Sequence, residues 1–234
     1  MNQPLLKQCV AEFVGTFALI FIGIGVIYNN LPGAGVGLLG VALAHGLTIA
    51  VMVSATMGIS GGQLNPAVTF GLLVGGQMNL KKSVAYWTAQ LAGGSAAAGL
   101  IACLWAGGSG TAIVAAGTPD IPTENGLPKV SAAQAIVIEA VLTFFLVFVV
   151  YGSAVDSRAP KIGGLAIGLT IVLDILFGGP FTGASMNPAR TFGPALASGH
   201  WNHHAVYWAG PLLGGGLAGL VYGRFLIKDP SSTR

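Results

Sequence analysis

The chain has 234 residues, of which 53% are hydrophobic and only 7% are charged, with a mean hydropathy of +0.77. Soluble domains carry about 25% charged residues, so this composition excludes a soluble enzyme or binding module and predicts an integral membrane protein. The formal net charge of +3 comes from scattered basic residues that form no patch interleaved with aromatic residues. We therefore predict no nucleic-acid partner.

Six apolar segments are long enough to cross a bilayer as helices, which takes about 20 residues each. We predict these spans at 8–28, 36–57, 83–105, 132–153, 163–179 and 202–227. The first has no evident cleavage site, so it is interpreted as a retained helix and not as a signal peptide. The spans form a single transmembrane domain over residues 1–234. Its first half covers about 5–105, a linking loop about 106–130, and its second half about 131–228.

The triplet Asn-Pro-Ala occurs twice, 122 residues apart, and each copy opens an apolar run about half as long as a span, at 65–74 and 187–197. The two copies are Asn65-Pro66-Ala67 and Asn187-Pro188-Ala189. Asparagine as a cap and proline at the first helical position both favour a helix start. Two half-length helices entering from opposite faces would meet near the middle of the bilayer, with their positive N-termini facing each other. Such an arrangement would orient a small polar molecule and repel cations.

The basic residues predict which side of the membrane each loop occupies. Eight of them fall on one side, namely Lys7, Lys81, Lys82, Arg158, Lys161, Arg224, Lys228 and Arg234. The loops of the other side contain Lys129 alone, so both termini are predicted to be cytoplasmic. Because each half has three spans, an odd number, the second half must be inverted relative to the first. The predicted fold is an all-α membrane protein with six transmembrane helices, two re-entrant half-helices and an inverted 3+3 repeat.

On these motifs the chain resembles the aquaporins (major intrinsic proteins) over essentially its whole length. The resemblance implies a right-handed six-helix bundle, a homotetramer with four independent pores and passive water flow through each pore. It also implies a narrow selectivity filter outside the central constriction, formed by His45, Ile175, Ala184 and Arg190. No phosphate loop, zinc spacing or nucleophile elbow is present, so we predict no catalytic residue, no metal and no cofactor.

The filter residues have alternative interpretations. Arg190 inside the membrane favours a functional role, although a charge at a helix end can also extend toward the membrane surface. His45 could hydrogen-bond to a neighbouring helix, but the family places it in the pore. Strict water channels of the family usually carry an aromatic residue at the position of His45 and a histidine at that of Ile175. This chain instead resembles tonoplast intrinsic proteins and ammonia-permeable aquaporins, which predicts water and neutral ammonia as permeants.

Two other transport functions are alternatives. An aquaglyceroporin-like facilitator is disfavoured by two positions. Glycerol facilitators of the family carry the pattern Asn-Pro-Ala-Arg-Asp and a glycine at the filter position of span five. This chain has Thr191 and Ile175 at these positions. A proton-coupled transporter could use Glu12 and Glu139 as relays. Their matching positions in the two halves instead favour a structural role, in which they accept hydrogen bonds from backbone N–H groups of the re-entrant loops. An intramembrane enzyme ranks last because no convincing catalytic pair exists.

Three features stay open at this point. Asp174, beside Ile175, could hydrogen-bond to the loop at 181–185, or it could tune His45 and Arg190. A cluster of histidines precedes span six, formed by His200, His203 and His204. These histidines could bind a metal, sense pH or simply be solvated. We predict that the protein lies in the cell membrane and not in a vacuolar membrane. Membrane lipid is a predicted partner.

Overall fold

The computed structural model describes residues 3–30, 35–105, 109–122, 129–160 and 162–227. All regular secondary structure in these ranges is helical. The α-helices are α1 (Leu5–Tyr28), α2 (Gly37–Thr56), α3 (Pro66–Val74), α4 (Leu80–Leu104), α5 (Gly110–Ala116), α6 (Ala132–Val150), α7 (Gly163–Thr182), α8 (Pro188–Ser198) and α9 (Val206–Ala218). Two π-helical segments continue α6 through Tyr151–Val155 and α9 through Gly219–Leu226.

Five of these helices are long and apolar enough to cross a membrane. They are α1, α2, α4, α6 with its π-helical extension, and α7, and their ends lie within three residues of the predicted spans. The sixth predicted span differs, because α9 begins only at Val206 and changes to a π-helix at Gly219. This segment is rich in glycine, which stabilises an α-helix poorly. The chain is an integral multi-pass membrane protein, and the predicted all-helical fold is confirmed.

The linking loop also differs from the prediction. We expected no helix between residues 106 and 130, yet the structure contains the seven-residue helix α5 there. Ile113 and Val114 are buried in the main hydrophobic core, which explains how so short a helix is held in place. A short apolar run of this length is ambiguous in sequence. This helix matters for the site because the backbone that follows it reaches the pore.

The helices pack as two similar halves. Helix α1 packs mainly on α4, α6 packs mainly on α9, and α2 packs on α7 across the two halves. The half-helix α3 lies against α9, and the half-helix α8 lies against α4. Each half-helix is therefore held mainly by the last helix of the other half, and both half-helices point their N-termini toward the centre of the bundle.

Glycines allow the half-helices to approach their neighbours closely. A methyl group built on Gly215 would lie 2.6 Å from the carbonyl oxygen of Ala67, and one on Gly223 would lie 2.8 Å from the Cα atom of Gly75. On the other side, a methyl group on Gly94 would lie 2.8 Å from the carbonyl oxygen of Ala189. Small residues at such crossings let helix backbones pack directly in a membrane. The glycines thus fix the depth of both half-helices.

The two ends of the bundle differ in charge. One end carries the described basic residues Lys7, Lys81, Lys82, Arg158 and Arg224, and we call it the basic face. The other basic residues that the sequence assigned to this side, Lys161, Lys228 and Arg234, lie outside the described residues. At the opposite end Asp120 contacts His200 and His203, and we call it the histidine face. Between the two faces, large apolar side chains such as Leu173 and Leu213 point outward, as lipid contact requires.

Candidate functional site: a pore between two half-helices

Each half-helix begins with the same capping arrangement. The side-chain oxygen of Asn65 accepts a hydrogen bond from the backbone N–H of Ala67 at 2.8 Å. The side-chain oxygen of Asn187 likewise accepts from Ala189 at 3.0 Å. Pro66 and Pro188 occupy the first helical positions. Proline lacks a backbone N–H, but an N–H at this position would have no acceptor within the helix, so no hydrogen bond is lost. Because each oxygen faces its own helix, the amide nitrogen of each asparagine points away from the helix it caps.

The two amide nitrogens connect the loops to each other. The amide of Asn65 donates to the carbonyl oxygen of Met186 at 2.8 Å, and that of Asn187 donates to the carbonyl oxygen of Leu64 at 3.0 Å. Leu64 and Met186 have φ values of 53° and 52°, a left-handed conformation that is strained for such side chains. This conformation turns each carbonyl toward the opposite asparagine. Each amide carries a second N–H, and both asparagines line the central cavity.

Glu12 supports the loop before α3. Both of its oxygens are buried and accept two hydrogen bonds each. The donors are the Ser60 hydroxyl at 2.6 Å, the backbone N–H groups of Gln63 at 2.9 Å and Leu64 at 2.6 Å, and the Gln90 amide at 2.8 Å. A loop inside a membrane would otherwise leave these backbone donors unsatisfied.

Glu139 has the equivalent position in the second half. It is fully buried and accepts from the Thr182 hydroxyl at 2.7 Å and from the backbone N–H groups of Ser185 at 2.9 Å and Met186 at 2.7 Å. Tyrosines complete the correspondence, because Tyr86 donates to the carbonyl of Ser60 and Tyr207 donates to that of Thr182. Apart from the Gln90 hydrogen bond to Glu12, the two loops therefore repeat the same hydrogen bonds across the inverted repeat.

A narrow cavity of about 30 Å³ runs along the two loops. One wall is aliphatic and is formed by Ile49, Val53, Leu146, Val150, Ile167 and Ile171. The polar lining comes from the loops and their asparagines. A second, wider cavity opens on the histidine face, and His45, Ile175 and Arg190 line both cavities. These three residues lie where the two cavities adjoin, and Ala184 lines the inner one.

His45 and Arg190 are both buried and both held by backbone carbonyls. His45 Nδ1 lies 2.9 Å from the carbonyl oxygen of Val41, and since a carbonyl only accepts, Nδ1 carries the hydrogen. Arg190 Nη1 donates to the carbonyl oxygen of Gly117 at 2.7 Å. Only 6% of Arg190 is exposed, so it does not extend to the membrane surface. A guanidinium has five N–H donors, and Arg190 lines both cavities.

The family of the chain follows from a comparison with known proteins. The family model described as "MIP: Major intrinsic protein" matches residues 1–222. The chain belongs to the major intrinsic protein family. It is 44% identical to Aquaporin TIP2-3 of Zea mays over 238 residues, covering 98% of this chain and 91% of that relative. It is 47% identical to Aquaporin TIP4-4 of Zea mays and 46% identical to Probable aquaporin TIP2-1 of Oryza sativa subsp. japonica, covering 95% of this chain and 88% of each relative.

A solved structure shares the fold of this family member. The X-ray structure of the aquaglyceroporin from Plasmodium falciparum superposes with a TM-score of 0.82 at 26% identity, covering 95% of this chain and 97% of that one. The resemblance that the sequence motifs indicated is thereby confirmed, both for the family and for the all-helical architecture. The similarity to aquaporins named TIP also agrees with the sequence-based likeness to tonoplast intrinsic proteins.

Asp174 has no hydrogen-bond partner in the described part of this family member. It is 5% exposed, and its Oδ2 atom is buried without a partner. The proposed hydrogen bond to the loop at 181–185 is therefore not seen. That loop is also shorter than expected, since α7 continues to Thr182. A buried carboxyl without a partner is unfavourable, and no contact in the structure gives Asp174 a function.

Two residues of the site could not be identified from the sequence. Gly117 contributes only a backbone carbonyl, which has no signature in a sequence. Asp120 binds two of the three clustered histidines, His200 at 2.8 Å and His203 at 2.8 Å. The third, His204, packs against Trp201 and accepts from the indole N–H of Trp208 at 3.0 Å. The acidic residue that pairs with the histidines lies 80 residues earlier in the chain, so spacing gives no hint of it.

Proposed function

We propose that this major intrinsic protein is a channel that conducts water passively through the cavity between its half-helices. The observation that carries the proposal is the pair of asparagine amides that line the cavity, each hydrogen-bonded to the opposite loop. Their remaining N–H groups would hold a water molecule by its oxygen. A water held in this way cannot accept a proton from its neighbour, and the positive ends of both half-helices disfavour cations. The relatives named aquaporins support the same function.

The proposed selectivity filter consists of His45, Ile175, Ala184 and Arg190. Arg190 offers fixed donors and a positive charge that disfavours cations, while Ile175 adds an apolar wall. Because Nδ1 of His45 donates to Val41, its Nε2 atom is the acceptor of the neutral ring. An acceptor beside the donors of Arg190 suits a molecule that both donates and accepts. Neutral ammonia has this property, and we propose it as the second permeant.

The roles of the other predicted site residues are also proposals. Asn65, Pro66, Ala67, Asn187, Pro188 and Ala189 are proposed as the central constriction. Glu12 and Glu139 are proposed to support the loops, because their oxygens are occupied by donors of the protein. A carboxylate occupied in this way is a poor proton relay, which argues against a proton-coupled transporter. We also propose that the protein has no enzymatic activity.

A facilitator for glycerol is the alternative among channels. The Plasmodium falciparum structure is named an aquaglyceroporin, but it is 26% identical, whereas the relatives named aquaporins are 44–47% identical. Ile175 also lines the junction of the two cavities, at the position where glycerol facilitators of the family usually carry a glycine. We therefore propose that glycerol is excluded.

The assembly and orientation are further proposals. We propose a homotetramer in membrane lipid, a single domain over residues 1–234, and a cytoplasmic location of both termini with the basic face inside. The described basic residues support this orientation by the positive-inside rule. The preference for the cell membrane over a vacuolar membrane stays a prediction, which the likeness to tonoplast intrinsic proteins does not favour.

The test is a permeability panel on the purified protein in vesicles. Osmotic shrinkage should be much faster than in empty vesicles, should not depend on an ion gradient, and should fall in a variant with Asn65→Ala and Asn187→Ala. Dependence on a proton gradient would instead identify a transporter. Ammonia entry, followed as internal alkalinisation, should exceed that of empty vesicles, and glycerol entry should not. Ammonia entry equal to that of empty vesicles alongside fast water flow would remove ammonia from the proposal.

A further inference from the structure

A compact group of polar side chains joins two segments on the histidine face. Asp120 Oδ2 accepts hydrogen bonds from His200 Nε2 at 2.8 Å and from the Asn202 amide at 3.3 Å. Its Oδ1 accepts from His203 Nδ1 at 2.8 Å and from the backbone N–H of Ile121 at 2.7 Å. Because a carboxylate only accepts, both imidazoles must donate. We call Asp120, His200 and His203 the outer clasp.

The outer clasp fixes a segment that reaches the pore. Asp120 belongs to the segment 117–122, which follows α5 and lines the wide cavity together with His45 and Arg190. Three residues before Asp120, the carbonyl of Gly117 accepts the hydrogen bond from Arg190 Nη1 at 2.7 Å. The histidines belong to the turn between α8, which carries Arg190, and α9. The clasp therefore joins the segment that holds Arg190 to the far end of the helix on which Arg190 lies.

We propose that Asp120 is a positioning residue, whose clasp with His200 and His203 keeps the Gly117 carbonyl on Arg190 and so supports the exclusion of larger solutes. The proposal deepens the proposed channel function and rests on it, since it assigns Arg190 to the filter. Asp120 acts through the backbone of its segment and need not touch the permeating molecule. With the clasp open, the segment 117–122 is released from the turn, and Arg190 loses its fixed orientation.

The charge of Asp120 strengthens the clasp. Burial pushes the pKa of Asp120 upward, but hydrogen bonds from His203, Ile121, His200 and Asn202 outweigh burial, so its pKa lies below its ordinary value. Asp120 is thus ionised at neutral pH. Hydrogen bonds to an ionised carboxylate are charge-assisted and are stronger than hydrogen bonds between neutral groups. Neutralising Asp120 should therefore weaken the clasp.

Other charged or titratable groups face this region from the surrounding helices. The described ones are His45 from α2, Arg190 from α8 and Tyr207 from α9. His45 and Arg190 are buried deeper, at the junction of the two cavities. An experiment must therefore separate the clasp from these groups. Variants of the clasp residues alone achieve this separation, because they leave His45 and Arg190 unchanged.

The experiment measures water and urea permeability of vesicles containing the full chain, at neutral pH on both sides. Loss of a charge-assisted hydrogen bond shifts an equilibrium by roughly tenfold, so Asp120→Asn should raise the urea-to-water permeability ratio by up to about that factor. Asp120→Glu should restore part of the low ratio. His200→Ala with His203→Ala should also raise the ratio, because it removes two of the hydrogen-bond donors of the clasp.

The matched control is Asp156→Asn on the opposite end of the bundle. Asp156 pairs with Arg158 on the basic face, so its neutralisation should leave the urea-to-water ratio unchanged. An unchanged ratio in folded Asp120→Asn would overturn the proposal, and so would an equal effect of Asp156→Asn. If Asp120→Asn does not fold, the double histidine variant decides in the same way.

A second measurement does not depend on transport. Backbone hydrogen exchange of residues 117–121, compared between variants at the same pH, should be roughly tenfold faster in Asp120→Asn than in the natural protein. Equal exchange would overturn the clasp even if permeability changed. Should the natural protein conduct no water, the proposed function fails, whereas the exchange comparison still decides whether Asp120 holds this segment.

Discussion

The replacement of Glu139 by glutamine tests how strongly the second re-entrant loop depends on its buried carboxylate. Glu139 accepts three hydrogen bonds at 2.7–2.9 Å, from Thr182, Ser185 and Met186. Glutamine has nearly the same shape, but one of its two terminal atoms is an NH2 group and only donates. In the best orientation this group faces Met186, so at least one backbone donor loses its acceptor.

The expected loss of stability follows from that count. One hydrogen bond to a charged group in a buried site is worth about 1.5–3 kcal/mol. In the variant the glutamine NH2 group also faces the backbone N–H of Met186, and the repulsion between these two donors adds to the loss. We expect Glu139→Gln to lower the free energy of unfolding by about 2–3 kcal/mol, which corresponds to a decrease in Tm of about 4–12 °C for a chain of this length. The Met186 carbonyl binds the Asn65 amide, so water permeability should fall as well.

Asp174→Asn provides the matched control for this measurement. It makes the same carboxylate-to-amide change at a similarly buried position on a neighbouring helix, where the described structure gives the side chain no hydrogen-bond partner. Removing a buried carboxyl that lacks a partner should leave Tm unchanged or raise it. Thermal unfolding of the purified proteins at one scan rate compares the two variants. Equal decreases in Tm, or no decrease in Glu139→Gln, would refute the reasoning.

Three further predictions concern the pore and its packing. Asn65→Ala should reduce water permeability more than its small change in volume suggests, because it removes a link between the loops, and vesicle shrinkage measures this; an unchanged rate would argue against that link. His45→Phe with Ile175→His should lower the ammonia-to-water permeability ratio, and a constant ratio would contradict the filter assignment. Gly168→Leu should reduce folded yield and Tm, because any side chain there meets the backbone of α2; a stable variant would show that the crossing of α2 and α7 can widen.

The sequence predicted the half-helices well because their signals are local. Asparagine and proline before an apolar run specify a helix start wherever they occur, and the observed starts at Pro66 and Pro188 agree with them. Counting three spans per half predicted the inversion without any knowledge of contacts. The matching positions of Glu12 and Glu139 indicated where loop support would be needed, although their individual donors emerge only from the folded chain.

The remaining features depend on contacts between distant parts of the chain. The π-helical end of α9 from Gly219 depends on how that glycine-rich segment packs on α3, which no periodicity reveals. Helix α5 is stabilised by burial rather than by its own propensity. The three histidines were visible in the sequence, but their division into two that bind Asp120 and one, His204, that packs on Trp201 follows only from the tertiary structure.

The crossed hydrogen bonds of Asn65 and Asn187 have a consequence for biosynthesis. Each asparagine needs a carbonyl from the other half of the chain, and 121 residues separate Asn65 from its partner Met186. A nascent chain that has inserted only its first three spans cannot complete either bond. The contact between the two re-entrant loops must therefore form late, after the second half of the polypeptide has entered the membrane.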